Sequence, residues 1–68
     1  MKVRIDKAAD ALYIDLDNTQ VTVESEEVQP GIILDFNTEG AVVGIEVLGV
    51  SKRNTSAFHH IQLETVEA

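Results

Sequence analysis

Apolar and polar residues alternate with a period of two through most of this chain, and that rhythm limits what it can fold into. In "KVRID", Val3 and Ile5 point one way while Lys2, Arg4 and Asp6 point the other. "ALYIDLD" repeats the pattern, with Leu12, Ile14 and Leu16 on one face and Tyr13, Asp15 and Asp17 on the opposite face. "KAAD" between the two runs suits a tight turn. Folding the runs into a hairpin sets Ile5 opposite Leu12, Val3 opposite Ile14 and Arg4 opposite Tyr13, where a cation–π contact is expected. After a turn at "DNTQ", with Asn18 at its tip, "VTVE" reads as a short third strand. Leu16 would then face Val21, and Ile14 would face Val23. "SEEVQPG" breaks the alternation and holds the one proline, so it reads as a loop or irregular edge.

"IILDFN" and "AVVGIEVLG" flank a glycine-containing "TEG" loop and form a further hairpin. Parity allows Leu34 opposite Val43 and Ile32 opposite Ile45, or the neighbouring register two residues away. A slip of one residue would set Asp35 against Val43 and mix the two faces. Further on, "NTSAFHH" suits one helical turn capped by Asn54, Thr55 or Ser56, and "IQLETV" alternates as a last strand would. The expected fold is α+β but mainly β: an antiparallel meander of five to six strands with a short C-terminal helical turn. All 68 residues form one domain.

Such a sheet has one strongly apolar face, which a flat sheet cannot bury alone. Domains below about 70–80 residues rarely gain more than ~3–5 kcal/mol from one core without added support. The chain has no cysteine, so disulfides and thiolate zinc sites are excluded, which leaves idealised packing or an oligomer as the support. The second face is also rather apolar, since Tyr13, Ile33, Val42, Leu48 and Val50 fall there by parity.

With 12 Asp and Glu against 5 Lys and Arg, the net charge is −7. Nucleic-acid binding needs clustered cations, so it is not expected; the acidic balance suits a basic partner protein, a cation or simple solubility. At 44% apolar the chain is too hydrophobic for a disordered acidic tail. No apolar run approaches the roughly 18 residues of a membrane span, and no signal segment follows "MKVRID", so the cytoplasm is the expected location, with no membrane partner.

Several polar residues on the second face are candidates for contact with a partner. Glu46 lies on the strand between Gly44 and Leu48, where it would accept a bond from a partner's Lys or Arg or simply face solvent. Gly44 has no side chain and leaves room for something to approach the backbone. Asp35 sits one rung from the hairpin end and suits a bond to loop amides. Together with Tyr13 these make a candidate binding set: Tyr13, Asp35, Gly44, Glu46 and Leu48. Asp6 and Asp10 flank the first turn and suit bonds to its amides.

Chemistry is less well supported. Asp15, Asp35 and Glu46 would have to converge to bind a metal or share a proton, and a small sheet offers few pockets. "DLDN" resembles only the start of a calcium loop. His59 and His60 are adjacent and so diverge in either a strand or a helix. No nucleophile elbow accompanies Ser51 or Ser56, and "GAVVG" lacks the third glycine of a dinucleotide site. No catalytic residue, metal or cofactor is called for.

Two motifs resemble the YuzE-like family of small prokaryotic proteins of unknown function. One is Asp6 followed by "DALYI", Asp10 to Ile14. The other is Asp35, Gly40 and then "GIEVL", Gly44 to Leu48. The resemblance covers roughly residues 1–53. It implies a small cytoplasmic protein, in some cases encoded beside toxin-like proteins, and hence an antitoxin-like or partner-binding role. The leading expectation is therefore a protein-interaction module that self-associates through its sheet. The alternatives are a metal-assisted hydrolase or other small enzyme using Asp35, Glu46 and a histidine, and a purely structural homo-oligomer.

Overall fold

The computed structural model describes residues 1–55 and 57–67. It contains five strands in one antiparallel sheet: β1 (Lys2–Asp6), β2 (Ala11–Asp15), β3 (Glu24–Gln29), β4 (Ile32–Phe36) and β5 (Val42–Leu48). The spatial order is β1-β2-β5-β4-β3. A single helical turn, α1 (Val50–Arg53), follows β5, and a 3-10 turn spans Ala57–His59. The expected class, a mainly β antiparallel sheet with a short helical turn, is the one observed.

The first hairpin has the register that parity dictates, with Val3 opposite Ile14, Arg4 opposite Tyr13 and Ile5 opposite Leu12. Between β4 and β5 the sheet adopts the two-residue neighbour: Leu34 faces Ile45 and Ile32 faces Val47. A bulge at Asp35/Phe36 then shifts Phe36 onto Val42. The Asn37 side chain organises the loop that follows, accepting the N–H groups of Glu39 and Ala41, both at 3.0 Å.

The third strand is not where alternation suggested. Val21 and Val23 lie outside any strand and are 74% and 55% exposed. The edge of β2 that they would need is already occupied: β5 pairs there, and the Leu16 and Asp17 N–H groups both donate to the Val43 carbonyl. Residues 16–23 instead carry the chain to the far side of the sheet. There "ESEEVQ", expected to be a loop or irregular edge, forms β3 against β4. Its glutamates suit an edge strand, because charge discourages unwanted pairing of free edges.

Pro30-Gly31 reverses the chain directly from β3 into β4. Proline presets its own φ, and Gly31 adopts φ 79°, a left-handed conformation that suits glycine. The helical turn also departs from expectation. A turn does form within "NTSAFHH", as the 3-10 turn Ala57–His59, but an unexpected helical turn precedes it: Gly49, at φ 65°, starts α1 and Asn54 ends it. The expected cap Ser56 lies outside the described residues. "IQLETV" forms no strand; Ile61 and Leu63 are exposed, Leu63 by 95%.

The sheet therefore has two faces of different character. One carries Val3, Ile5, Leu12, Ile14, Ile32, Leu34, Phe36, Val43, Ile45 and Val47, with Glu24 and Glu26 at the β3 margin. Among the described residues only Ala11, Val43 and Val50 are buried apolar residues, so every described Leu, Ile and Phe keeps solvent contact.

A Cβ at Gly31 would meet the Leu48 carbonyl oxygen at 3.0 Å and the Arg53 guanidinium at 3.2 Å. Adding the left-handed strain, Gly31→Ala is expected to destabilise the fold by about 1–3 kcal/mol. Urea denaturation followed by circular dichroism measures this, and an unchanged midpoint would contradict the assigned turn.

Candidate functional site

The β2–β5 register assembles the candidate residues. Tyr13 lies opposite Glu46, and Gly44 lies opposite both Asp15 on β2 and Asp35 on β4. Leu48 faces Ala11 at the end of the same row. All five candidates therefore share the second face, spread over the three central strands.

Each polar member of that row is engaged within the chain. The Tyr13 hydroxyl donates to Glu46 Oε1. The Arg4 guanidinium stacks over the Tyr13 ring, 4.9 Å from its centroid, and donates to both oxygens of Asp15, with Nε–Oδ2 at 2.9 Å and Nη2–Oδ1 at 3.3 Å. This is the cation–π contact expected from the first hairpin. The Arg4–Asp15 pair is partly exposed, so it is worth at most about 1 kcal/mol despite its forked geometry. On the other flank the Ser25 hydroxyl donates to Asp35 Oδ1 at 2.6 Å.

The space above Gly44 is filled by a neighbour. A Cβ there would stand 3.2 Å from Asp35 Oδ2 and 3.6 Å from the Ile14 carbonyl oxygen. The missing side chain thus makes room for Asp35, which bonds Ser25 across the strands in place of the loop amides anticipated for it. Of the apolar residues expected on this face, Tyr13 and Ile33 are half-buried, Leu48 is 36% exposed, and Val50 is buried as the first residue of α1.

Hydrogen bonding to the Glu46 carboxylate, reinforced by desolvation, pushes the Tyr13 phenol above its ordinary value; the nearby Arg4 charge opposes this. The neutral phenol is the form the folded protein favours. Its contribution to stability is thus present below pH 10 and is lost as pH rises through the raised value.

The three carboxylates proposed as a metal or acid–base cluster have separate partners: Asp15 has Arg4, Asp35 has Ser25 and Glu46 has Tyr13. Among the described residues, no three His, Asp or Glu side chains converge as ligands and no pocket is present. His59 and His60 are both exposed.

Asp10 has a role that sequence reasoning missed. Asp6 does bind its turn, accepting the Ala9 N–H at 3.0 Å. Asp10 instead reaches across 41 positions, accepting the Ser51 N–H at 2.9 Å and the Ser51 hydroxyl at 2.7 Å. Its carbonyl also accepts the Val50 N–H at 3.1 Å. This fastens α1 to the first turn and requires Asp10 to hold φ 52°, which aspartate tolerates better than most residues. No local pattern signals a partner so far along the chain.

Bonds from Ser51, assisted by Lys52, lower the Asp10 pKa. That stabilisation is present above the ordinary carboxylate range and is lost as pH falls through the depressed value. Asp10→Asn is accordingly expected to be less stable than the parent at neutral pH, and the gap should close as pH falls below about 4 in paired denaturation curves. Glu46→Gln should lower the Tyr13 pKa toward its ordinary value, which ultraviolet titration of the one tyrosine reads directly. An unmoved titration would place the cause elsewhere.

No helix among the described residues is long and apolar enough to cross a membrane. No curated protein and no solved structure matches the chain. A family model described as "Protein of unknown function (DUF2283)" matches residues 2–51, which run from β1 into α1 and include all five strands and every candidate site residue. The chain therefore belongs to this family of proteins of unknown function, DUF2283.

Proposed function

We propose that this protein is an interaction module that works by pairing its sheet with another protein surface. One observation carries the reading: among the described residues, no element forms a second layer on the apolar face of the sheet. The C-terminal segment, which would be the local cover, leaves Ile61, Leu63 and Val66 exposed. A sheet with a hydrophobic face is stable when that face meets another element.

The charge supports a more specific form of the same reading. A net charge of −7, with Glu24, Glu26 and Glu27 along the free β3 edge, suits a basic protein. On the second face, Glu46 and Asp35 each have one oxygen engaged by a hydroxyl, and the other is available to a partner's Lys or Arg. The resemblance to YuzE-like proteins, some encoded beside toxin-like proteins, favours an antitoxin-like role of this kind in the cytoplasm.

The test compares the full chain with Leu34→Asp in lysate of the native cell, by size-exclusion chromatography with antibody detection. The native chain is expected to elute well above its 7.4 kDa mass, and the variant to shift toward that mass. Ile5→Lys, at the margin of the same face, provides a second variant should Leu34→Asp fail to fold. Elution of the native chain at its own mass would refute the reading.

A further inference from the structure

Resting on that reading, we infer that the layer missing from the apolar face is a second copy of this chain, so that two sheets stack face to face as a two-layer sandwich. The dimensions support this occupant. A compact chain of this mass exposes about 4,200 Å², whereas this one exposes 5328 Å². The extended C-terminal segment holds part of the excess and the open face holds part. A stable interface takes about 800 Å² from each partner, which is the scale of the surplus. The radius of gyration, 13.1 Å, also exceeds the ~11 Å of a compact chain this long, as a single-layer sheet with an extended C-terminal segment does.

Composition favours a copy over a foreign partner on this face. By strand parity the face carries no lysine or arginine, and its charged members are Glu24 and Glu26 at one margin. An acidic or nucleic partner gains nothing from such a surface. A second sheet of the same width and strand spacing matches it in shape and in apolar character. Aligned sheets pack about 10 Å apart with interleaved side chains, and half-buried Leu12, Ile14, Leu34, Phe36, Ile45 and Val47 present what such a core uses.

Charge also selects the orientation. A two-fold axis across the strands would lay β3 on β3 and press Glu24 and Glu26 toward their own copies. An axis along the strands lays β3 of one chain over β1 of its partner, where Val3 and Ile5 provide apolar contact and Lys2 and Lys7 flank the strand. The second arrangement avoids the repulsion, and it predicts that β1 lies inside the interface. Val3 and Ile5 are 54% and 42% exposed in the single chain, so substitution there leaves the chain's own packing largely intact.

The purified full chain, at about 100 µM, is examined by light scattering coupled to size-exclusion chromatography. Twice the 7.4 kDa chain mass is expected. Because two chains of charge −7 repel, the dimer should tighten in ~1 M salt, where the Debye length falls to about 3 Å. Val3→Lys and Ile5→Lys should each weaken it on the order of tenfold or more, with the β circular-dichroism signal retained. Thr38→Lys, in the β4–β5 loop, should leave it unchanged. If Ile5→Lys loses its β signal, Val3→Lys decides alone. A single-chain mass, a mass other than two chains, or a dimer that both β1 variants leave intact would each overturn the inference. A purified monomer whose lysate form is still large would reject the second copy while leaving the interaction module standing.

Discussion

The pairing of β2 with β5 holds this molecule together. Each half is a local hairpin system: β1 with β2 around a four-residue turn, and β3, β4 and β5 around two short loops. An isolated two-stranded hairpin is marginal in water, so β1–β2 needs a third strand to persist. The β2–β5 ladder supplies one, and it joins residues 29 to 37 positions apart, from the Asp15–Gly44 pair to the Ala11–Leu48 pair. It also unites the apolar stripes of the two halves into one face and brings Tyr13 to Glu46 on the other. Asp10 reinforces the junction by fastening α1 just past the end of the same ladder.

Residues that share a face could be read from the sequence wherever turns were short. Period-two alternation fixes parity, and a turn of few residues leaves little choice of partner. The Val3–Ile14 and Ile5–Leu12 pairs follow directly, as does Arg4 over Tyr13. The β4–β5 register was restricted to two neighbours because an odd slip would bury Asp35. What alternation cannot give is the partner of a strand edge. "VTVE" has strand chemistry but reaches β2 on an edge where β5 binds better, with longer apolar side chains and a seven-residue strand. β3 was hidden for the converse reason: an edge strand with both faces exposed has no apolar rhythm to detect. The Pro30-Gly31 turn was its available signal.

The candidate site was legible as a neighbourhood and not as a set of bonds. Parity put Tyr13, Asp35, Gly44, Glu46 and Leu48 on one face, and the cross-strand register brought them together. Their hydrogen bonds depend on which residues stand opposite across β2–β5 and β3–β4, two pairings that involve long-range contacts or the unrecognised edge strand. Gly44 shows the difference. In the sequence its missing side chain suggests room for a partner, whereas in the fold that room belongs to Asp35.

These facts together shift attention from one face of the sheet to the other. On the second face, Arg4, Asp15, Tyr13, Glu46, Ser25 and Asp35 form local contacts that let a half-apolar surface rest in water. The first face has no such accommodation. Apart from Glu24 and Glu26 at the β3 margin, its side chains are aliphatic or aromatic, and their contact with water is relieved only by burial. Among the described residues the sheet is a single layer, and the C-terminal segment leaves Ile61, Leu63 and Val66 exposed instead of covering it. If a second copy covers this face, as proposed, completing the core and engaging a partner are one physical event. Under the proposed face-to-face dimer, association is part of folding, and stability should depend on protein concentration as it does for obligate dimers.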